Sequence, residues 1–237
     1  MSKIITGLRR ELKQHVDLQY KKGATNFFKE DIKCYGVRTP TVRKLLAKYY
    51  RDIKELDKKE IFDLCDELLR SGYNEEVTVA TSWLRKMPDR ITASDFVTFE
   101  HWINNYLDNW SKIDDFCTHV MHALIEHEPQ LIPRVKRWTK SKNCWLRRAS
   151  AVSFITYGES GYTKEVLKDV FEVADLLLED EDDMVQKGYG WMLKVAADGD
   201  QQAVFNYVMK HKDRMPRTAL RYAIEKMPAN LKKKAMS

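Results

Sequence analysis

Apolar residues recur along this chain at steps of three and four, the spacing that lines one face of an α-helix. Ile61, Leu64, Cys65, Leu68 and Leu69 form one such stripe, and Val166, Val170, Val173, Leu176 and Leu177 form another. Almost no stretch alternates apolar with polar residues as a half-buried strand would, so the pattern predicts an all-helical protein. About twelve helices are expected, separated by short turns at Ser71-Gly72, Met87-Pro88, Glu128-Pro129 and Gly158 to Gly161. Thr39-Pro40 reads as a cap followed by a first-turn proline, Ser111 precedes Asp114 at capping-box spacing, and Met227-Pro228 closes a helix.

Many short helices joined by short turns suggest an array of helix pairs. Aligning the helices richest in small residues brings Ala80, Cys117, Ala149, Gly188 and Ala219 into register, with separations of 37, 32, 39 and 31 residues. Small residues at matched positions let neighbouring backbones approach closely where helices cross. The expected fold is therefore all-α, a curved α-solenoid of HEAT-like helical repeats with a concave basic groove. Asp114, Arg148 and Trp191 fall near the register point of three successive inner helices. No Gly/Ser/Pro-rich linker interrupts the sequence, so residues 1–237 are expected to form a single domain.

Charge changes the picture by its distribution more than by its total of +6. From Gln130 to Tyr157 there are seven Lys/Arg (Arg134, Lys136, Arg137, Lys140, Lys142, Arg147, Arg148) and no acid, with Trp138 and Trp145 among them. Cationic charge beside flat aromatic surface is the pairing that nucleic-acid sites use, although a solvated helix face would give the same composition. From Glu159 to Asp183 ten acids face only Lys164 and Lys168, so one face is expected to bind a polyanion and another to repel it.

Four scattered cysteines without a C-x-x-C pair argue against a disulfide framework and against a thiolate zinc site. His119, His122 and His127 have no completing carboxylate or cysteine pattern, Gly188-x-Gly190 lacks the glycine-rich loop of a nucleotide site, and neither metal nor cofactor is expected. No apolar run reaches signal-peptide or membrane-span length. The expectation is a soluble, cytoplasmic protein without membrane partners, nucleoid-associated when bound to DNA.

Three segments carry a resemblance: Trp110-Ser111-Lys112-Ile113-Asp114, Trp145-Leu146-Arg147-Arg148-Ala149, and Gln186-Lys187-Gly188-Tyr189-Gly190-Trp191. With them the chain resembles the AlkD family of bacterial DNA glycosylases, built from HEAT-like repeats, over nearly its whole length. Gly36-Val37-Arg38-Thr39-Pro40, with Arg43 on the following helix, belongs to the same likeness.

The resemblance implies a DNA repair glycosylase that removes positively charged alkylated purines such as N3-methyladenine and N7-methylguanine from double-stranded DNA. It places Asp114 on the catalytic carboxylate, Trp110 and Trp191 on two tryptophans that pack against the lesion nucleotide, and Arg148 on a residue that grips the backbone. It further implies that the lesion is handled while still largely stacked. Arg147, Lys194, Arg43 and Thr39 are further candidates for backbone contact. The family often has a tyrosine where this chain has Phe27, so any contact there lacks a hydroxyl.

The chemistry fits the residue types. A cationic base is already a good leaving group, so the enzyme needs only an anion to stabilise the oxocarbenium-like sugar and orient water. The bland alternatives are a capping-box role for Asp114 and core packing for the tryptophans. At the level of function the alternatives are a non-catalytic HEAT-like module that binds DNA or a protein partner, and an RNA-binding scaffold. A monomer is the simpler expectation.

Overall fold

A computed structural model of the chain describes residues 3–29, 31–155 and 162–237. The described residues contain helices and turns and no strand. The turn expected at Gly158 to Gly161 lies outside them. Packing divides the chain into two compact units, Met1–Val120 and Met121–Ser237.

The first unit comprises α1 (Lys3–Gln14), α2 (Leu18–Thr25), α3 (Thr39–Ile53), α4 (Lys58–Arg70), α5 (Asn74–Arg85), α6 (Phe96–Tyr106) and α7 (Trp110–Phe116). α1 buries Ile5, Leu8 and Leu12 against α3, and α3 packs in turn on α5. The apolar stripe read in α4 is buried at all five of its positions. Trp83 of α5 is fully buried, its indole N–H donating to the Leu46 carbonyl at 3.1 Å, and Phe62, Phe99, Trp102 and Phe116 form an aromatic cluster between α4, α6 and α7. α2 stands apart, for it buries none of its eight residues.

Two buried acids open α5 and fix what surrounds them. The Glu75 carboxylate accepts the backbone N–H groups of Tyr35, Gly36 and Val37 at 3.0, 2.7 and 3.0 Å, holding the extended segment that leads into α3. Gly36 has φ +89° and a Cβ there would lie 2.4 Å from that of Lys21, so glycine is required. Glu76 accepts from Arg9 and from the Tyr35 hydroxyl. Arg38 precedes the first helical residue, Thr39, so the expected Thr39 cap is displaced by one position and no side chain caps α3.

The second unit comprises α8 (His122–His127), α9 (Ile132–Arg137), α10 (Cys144–Val152), α11 (Lys164–Leu176), α12 (Asp183–Gly199), α13 (Gln201–His211), α14 (Arg217–Ala223) and α15 (Ala229–Met236). α12 is its centre, packed by α10, α11, α13 and α14. Ala149, Gly188 and Ala219 are buried at these crossings, as the small-residue register required, and Ala80 and Cys117 are buried in the first unit. Gly188 faces Arg148 and Val152 of α10, whereas Gly190 faces Ala219 and Tyr222 of α14, so Gly188-x-Gly190 is a packing motif.

The two glycines differ in what a methyl would strike. At Gly190 a Cβ would lie 2.8 Å from the Ala219 carbonyl oxygen and 2.7 Å from Tyr222 Cβ; at Gly188 it would meet only the Arg148 side chain, at 3.0 Å. Gly190→Ala is therefore expected to lower stability by about 1–3 kcal/mol through forced separation of α12 and α14. Gly188→Ala is expected to be near neutral, because a helix-propensity gain of ~1 kcal/mol offsets a modest side-chain shift. Equal urea midpoints for the two variants would contradict this account.

Candidate catalytic residues and nucleic-acid interface

In the first unit the site residues stand at the start of α7. Its N-cap is Asn109, whose side-chain oxygen accepts the Lys112 backbone N–H at 3.1 Å. The capping box expected from Ser111 and Asp114 is thus not formed, because Asn109 starts the helix two residues earlier. Asp114 instead lies in the second turn, four residues after Trp110 and on the same helix face. Both residues are half-buried, and the Thr118 hydroxyl donates to the Asp114 backbone carbonyl at 2.7 Å.

The cap is itself anchored. Asn109 is 1% exposed and donates to the Asn74 side chain at 3.1 Å, while the buried Lys112 ammonium bonds the Gly72 carbonyl and Asp108, each at 2.7 Å. These contacts tie the first turn of α7 to the turn before α5. The chain then runs through one π-helical turn, Cys117–Met121.

Trp110 stacks on Phe28, with ring centroids 5.0 Å apart and an interplanar angle of 18°. Phe27, the position expected to match the family tyrosine, is 81% exposed and takes no part in this stack. Phe28 is the residue the sequence reading missed; two adjacent phenylalanines gave it no means to tell the inward ring from the outward one. Phe28 also lines a cavity of about 200 Å³ together with Thr39, Val42, Glu75, Thr78 and Ser111. Arg43 lies exposed on α3, one turn after Thr39.

Next to Asp114, the Asp115 carboxyl is pushed up to about 6 by burial, with Asp114 adding repulsion; His119, Arg85 and the Thr78 hydroxyl work in the opposite direction. Its carboxylate lies 3.4 Å from His119 Nδ1. A raised carboxyl pKa means that the folded state holds a proton the unfolded chain has lost, so this group costs stability as pH rises from about 4 to about 6. Asp115→Asn removes that cost. Its stability relative to the native chain is expected to climb across this window and level off above it. A difference that does not vary with pH, measured by urea unfolding, would refute the assignment.

The second unit carries Trp191 and Arg148. Trp191 is half-buried on α12. Arg148 is 5% exposed and its guanidinium donates to the Met184 carbonyl in the first turn of α12, lying across the helix where Gly188 leaves room. Burial and this bond make it a clamp on the helix that bears Trp191.

The basic run is largely engaged within the protein. Arg147 pairs with Asp180 at 2.6 Å and Lys136 bonds Asp169 and Glu172, so the acidic segment neutralises the basic one where they pack. Lys194 pairs with Glu225 at 3.0 Å. Trp138 is a core residue at 3% exposure, and Trp145 is half-buried. Arg137, Lys140 and Lys142 remain on the surface. Sequence reading treated the two charge blocks as opposing faces because linear composition cannot show that they interlock.

Among the described residues, no group of three His, Cys, Asp or Glu is arranged to hold a metal ion, and no helix is long and apolar enough to cross a membrane. The four cysteines are free thiols.

Helices stacked in register around small residues define an all-helical protein of the α-solenoid class. A solved structure described as a predicted DNA alkylation repair enzyme from Enterococcus faecalis is similar in fold, with a TM-score of 0.78 and 13% identity over 91% of this chain and 98% of that one. The profile of the DNA alkylation repair enzyme family matches residues 8–227, and the chain belongs to that family. Its role is in DNA repair, as an enzyme with DNA as substrate. No curated protein matches the chain.

Proposed function

We propose that this chain is a monofunctional DNA glycosylase that hydrolyses the N-glycosidic bond of positively charged alkylated purines, N3-methyladenine and N7-methylguanine, in duplex DNA. The observation that carries the reading is the cap of α7. Because Asn109 takes the capping role, the Asp114 carboxylate is released from it and stands one turn from a Trp110 ring braced by Phe28.

As the bond between the sugar C1′ and the purine nitrogen breaks, its electron pair neutralises the base and leaves positive charge on the sugar. No general acid is needed. A half-buried carboxylate stabilises that charge and orients the water whose oxygen bonds C1′, while the water proton passes to solvent. Trp110 and Trp191 each add a ring face worth about 0.5–2 kcal/mol to a nearby cation, which favours the charged lesion over an undamaged nucleotide.

Arg148 positions α12, and Arg43 and Thr39 approach the DNA backbone. Arg147 and Lys194 must exchange an internal partner for phosphate, so they contribute less. We assign both units to one functional domain, acting as a monomer without a cofactor, in the cytoplasm.

Release of N7-methylguanine or N3-methyladenine from alkylated duplex DNA is the deciding assay. Release by the purified chain is expected. Salt-sensitive DNA binding without release would instead indicate a non-catalytic DNA-binding module, and no binding at low salt would point to a protein partner.

A further inference from the structure

Two phenylalanines adjacent in sequence have opposite fates. Phe28 supports Trp110, whereas Phe27 is 81% exposed just beyond the end of α2, and Leu18 at the other end of that helix is 75% exposed. A large apolar side chain left in water gives up the free energy its burial would bring, and here the whole helix buries nothing. Such a surface is explained by a partner that covers it.

Charge identifies the partner. From Leu18 to Lys29 there are three lysines, Lys21, Lys22 and Lys29, and no acid; Glu30 and Asp31 follow only after it. Residues 1–54 hold fourteen Lys/Arg against five Asp/Glu, a larger imbalance than that of the basic run near Arg147, and this part of the chain was not singled out from composition. A polyanion that also offers apolar slots beside its charges is duplex DNA, whose minor groove admits Phe and Leu wedges between base steps while phosphates meet flanking lysines.

We propose that Phe27 is a minor-groove wedge, inserted at a base step beside the lesion with α2 seated along the backbone. The assignment rests on the chain acting at lesions in duplex DNA. It gives Phe27 a role distinct from the Trp110 stack, which Phe28 serves. Unstacking one step loosens the damaged nucleotide.

The test uses a duplex with 2-aminopurine next to a single tetrahydrofuran abasic analogue, which has no base to release. The native chain is expected to raise 2-aminopurine emission severalfold at saturation. Phe27→Ala is expected to lose most of that rise and to bind about tenfold more weakly, the equivalent of ~1.4 kcal/mol. Phe27→Leu, still an apolar wedge, should keep part of it. An undiminished rise with Phe27→Ala at saturating protein would overturn the proposal, as would no rise with the native chain. Binding of the native chain to anionic vesicles without any signal on DNA would overturn it in favour of a membrane surface. A full emission rise in a chain that releases no alkylated base would count against the glycosylase reading alone.

Discussion

Asp114→Asn is expected to slow release of N7-methylguanine by about 10²–10³ in single-turnover assays, the range seen when one preorganised electrostatic contact to a transition state is removed. The substitution keeps shape and removes only charge. Asn109, and not Asp114, caps α7, so the helix retains its start and the fold should be undisturbed. Binding to undamaged duplex should be equal or slightly tighter, because a negative charge has been taken from a surface that meets phosphates. A rate within threefold of native would remove Asp114 from the chemistry, about 0.6 kcal/mol being too little for an anion facing a cation. Had Asp114 been the cap, the same variant would have lowered stability and activity together.

The largest stability effect is expected at Glu76. It is fully buried in the first turn of α5 and receives Arg9 Nε at 3.0 Å, Arg9 Nη2 at 2.8 Å and the Tyr35 hydroxyl at 2.6 Å. Its hydrogen bond to Arg9 raises the guanidinium pKa, and burial together with Glu76 pushes the Tyr35 phenol up, so both partners stay protonated donors. Glu76→Ala leaves a mostly buried cation with only Glu67 and strands the Tyr35 hydroxyl. Breaking one side of such a network costs about 3–5 kcal/mol. That is a large share of the 5–15 kcal/mol typical of a domain. Glu76→Gln keeps the shape and an acceptor, and about half the loss is expected. Urea unfolding followed by far-ultraviolet dichroism reads both; a Glu76→Ala midpoint equal to native would mean that the network contributes nothing.

Periodicity carried the helices well where one face is buried and poorly at their margins. All five stripe positions of α4 are buried, but in α11 only Val170, Val173 and Leu177 are, while Val166 is half-buried and Leu176 is 49% exposed. Caps were harder. At α7 a serine and an asparagine compete two residues apart, and the choice falls to Asn109 because it also reaches Asn74 across the turn before α5. Glu75 and Glu76 were invisible as core residues, since an acid in a sequence reads as surface until its partners, some forty residues earlier in the chain, are placed beside it.

Trp110, Asp114, Arg148 and Trp191 were legible as candidates only together, through a resemblance that spans the chain. Each taken alone has an ordinary structural reading. The sequence by itself determined the helical class, the crossings at Ala149, Gly188 and Ala219, and the family, because these depend on residue size and spacing that local order preserves. Tertiary structure alone decided which phenylalanine supports Trp110, which cations are spent on Asp180, Asp169, Glu172 and Glu225, and which acids are buried. Side-chain direction and charge pairing are set by neighbours distant in sequence, and a linear pattern holds no record of them.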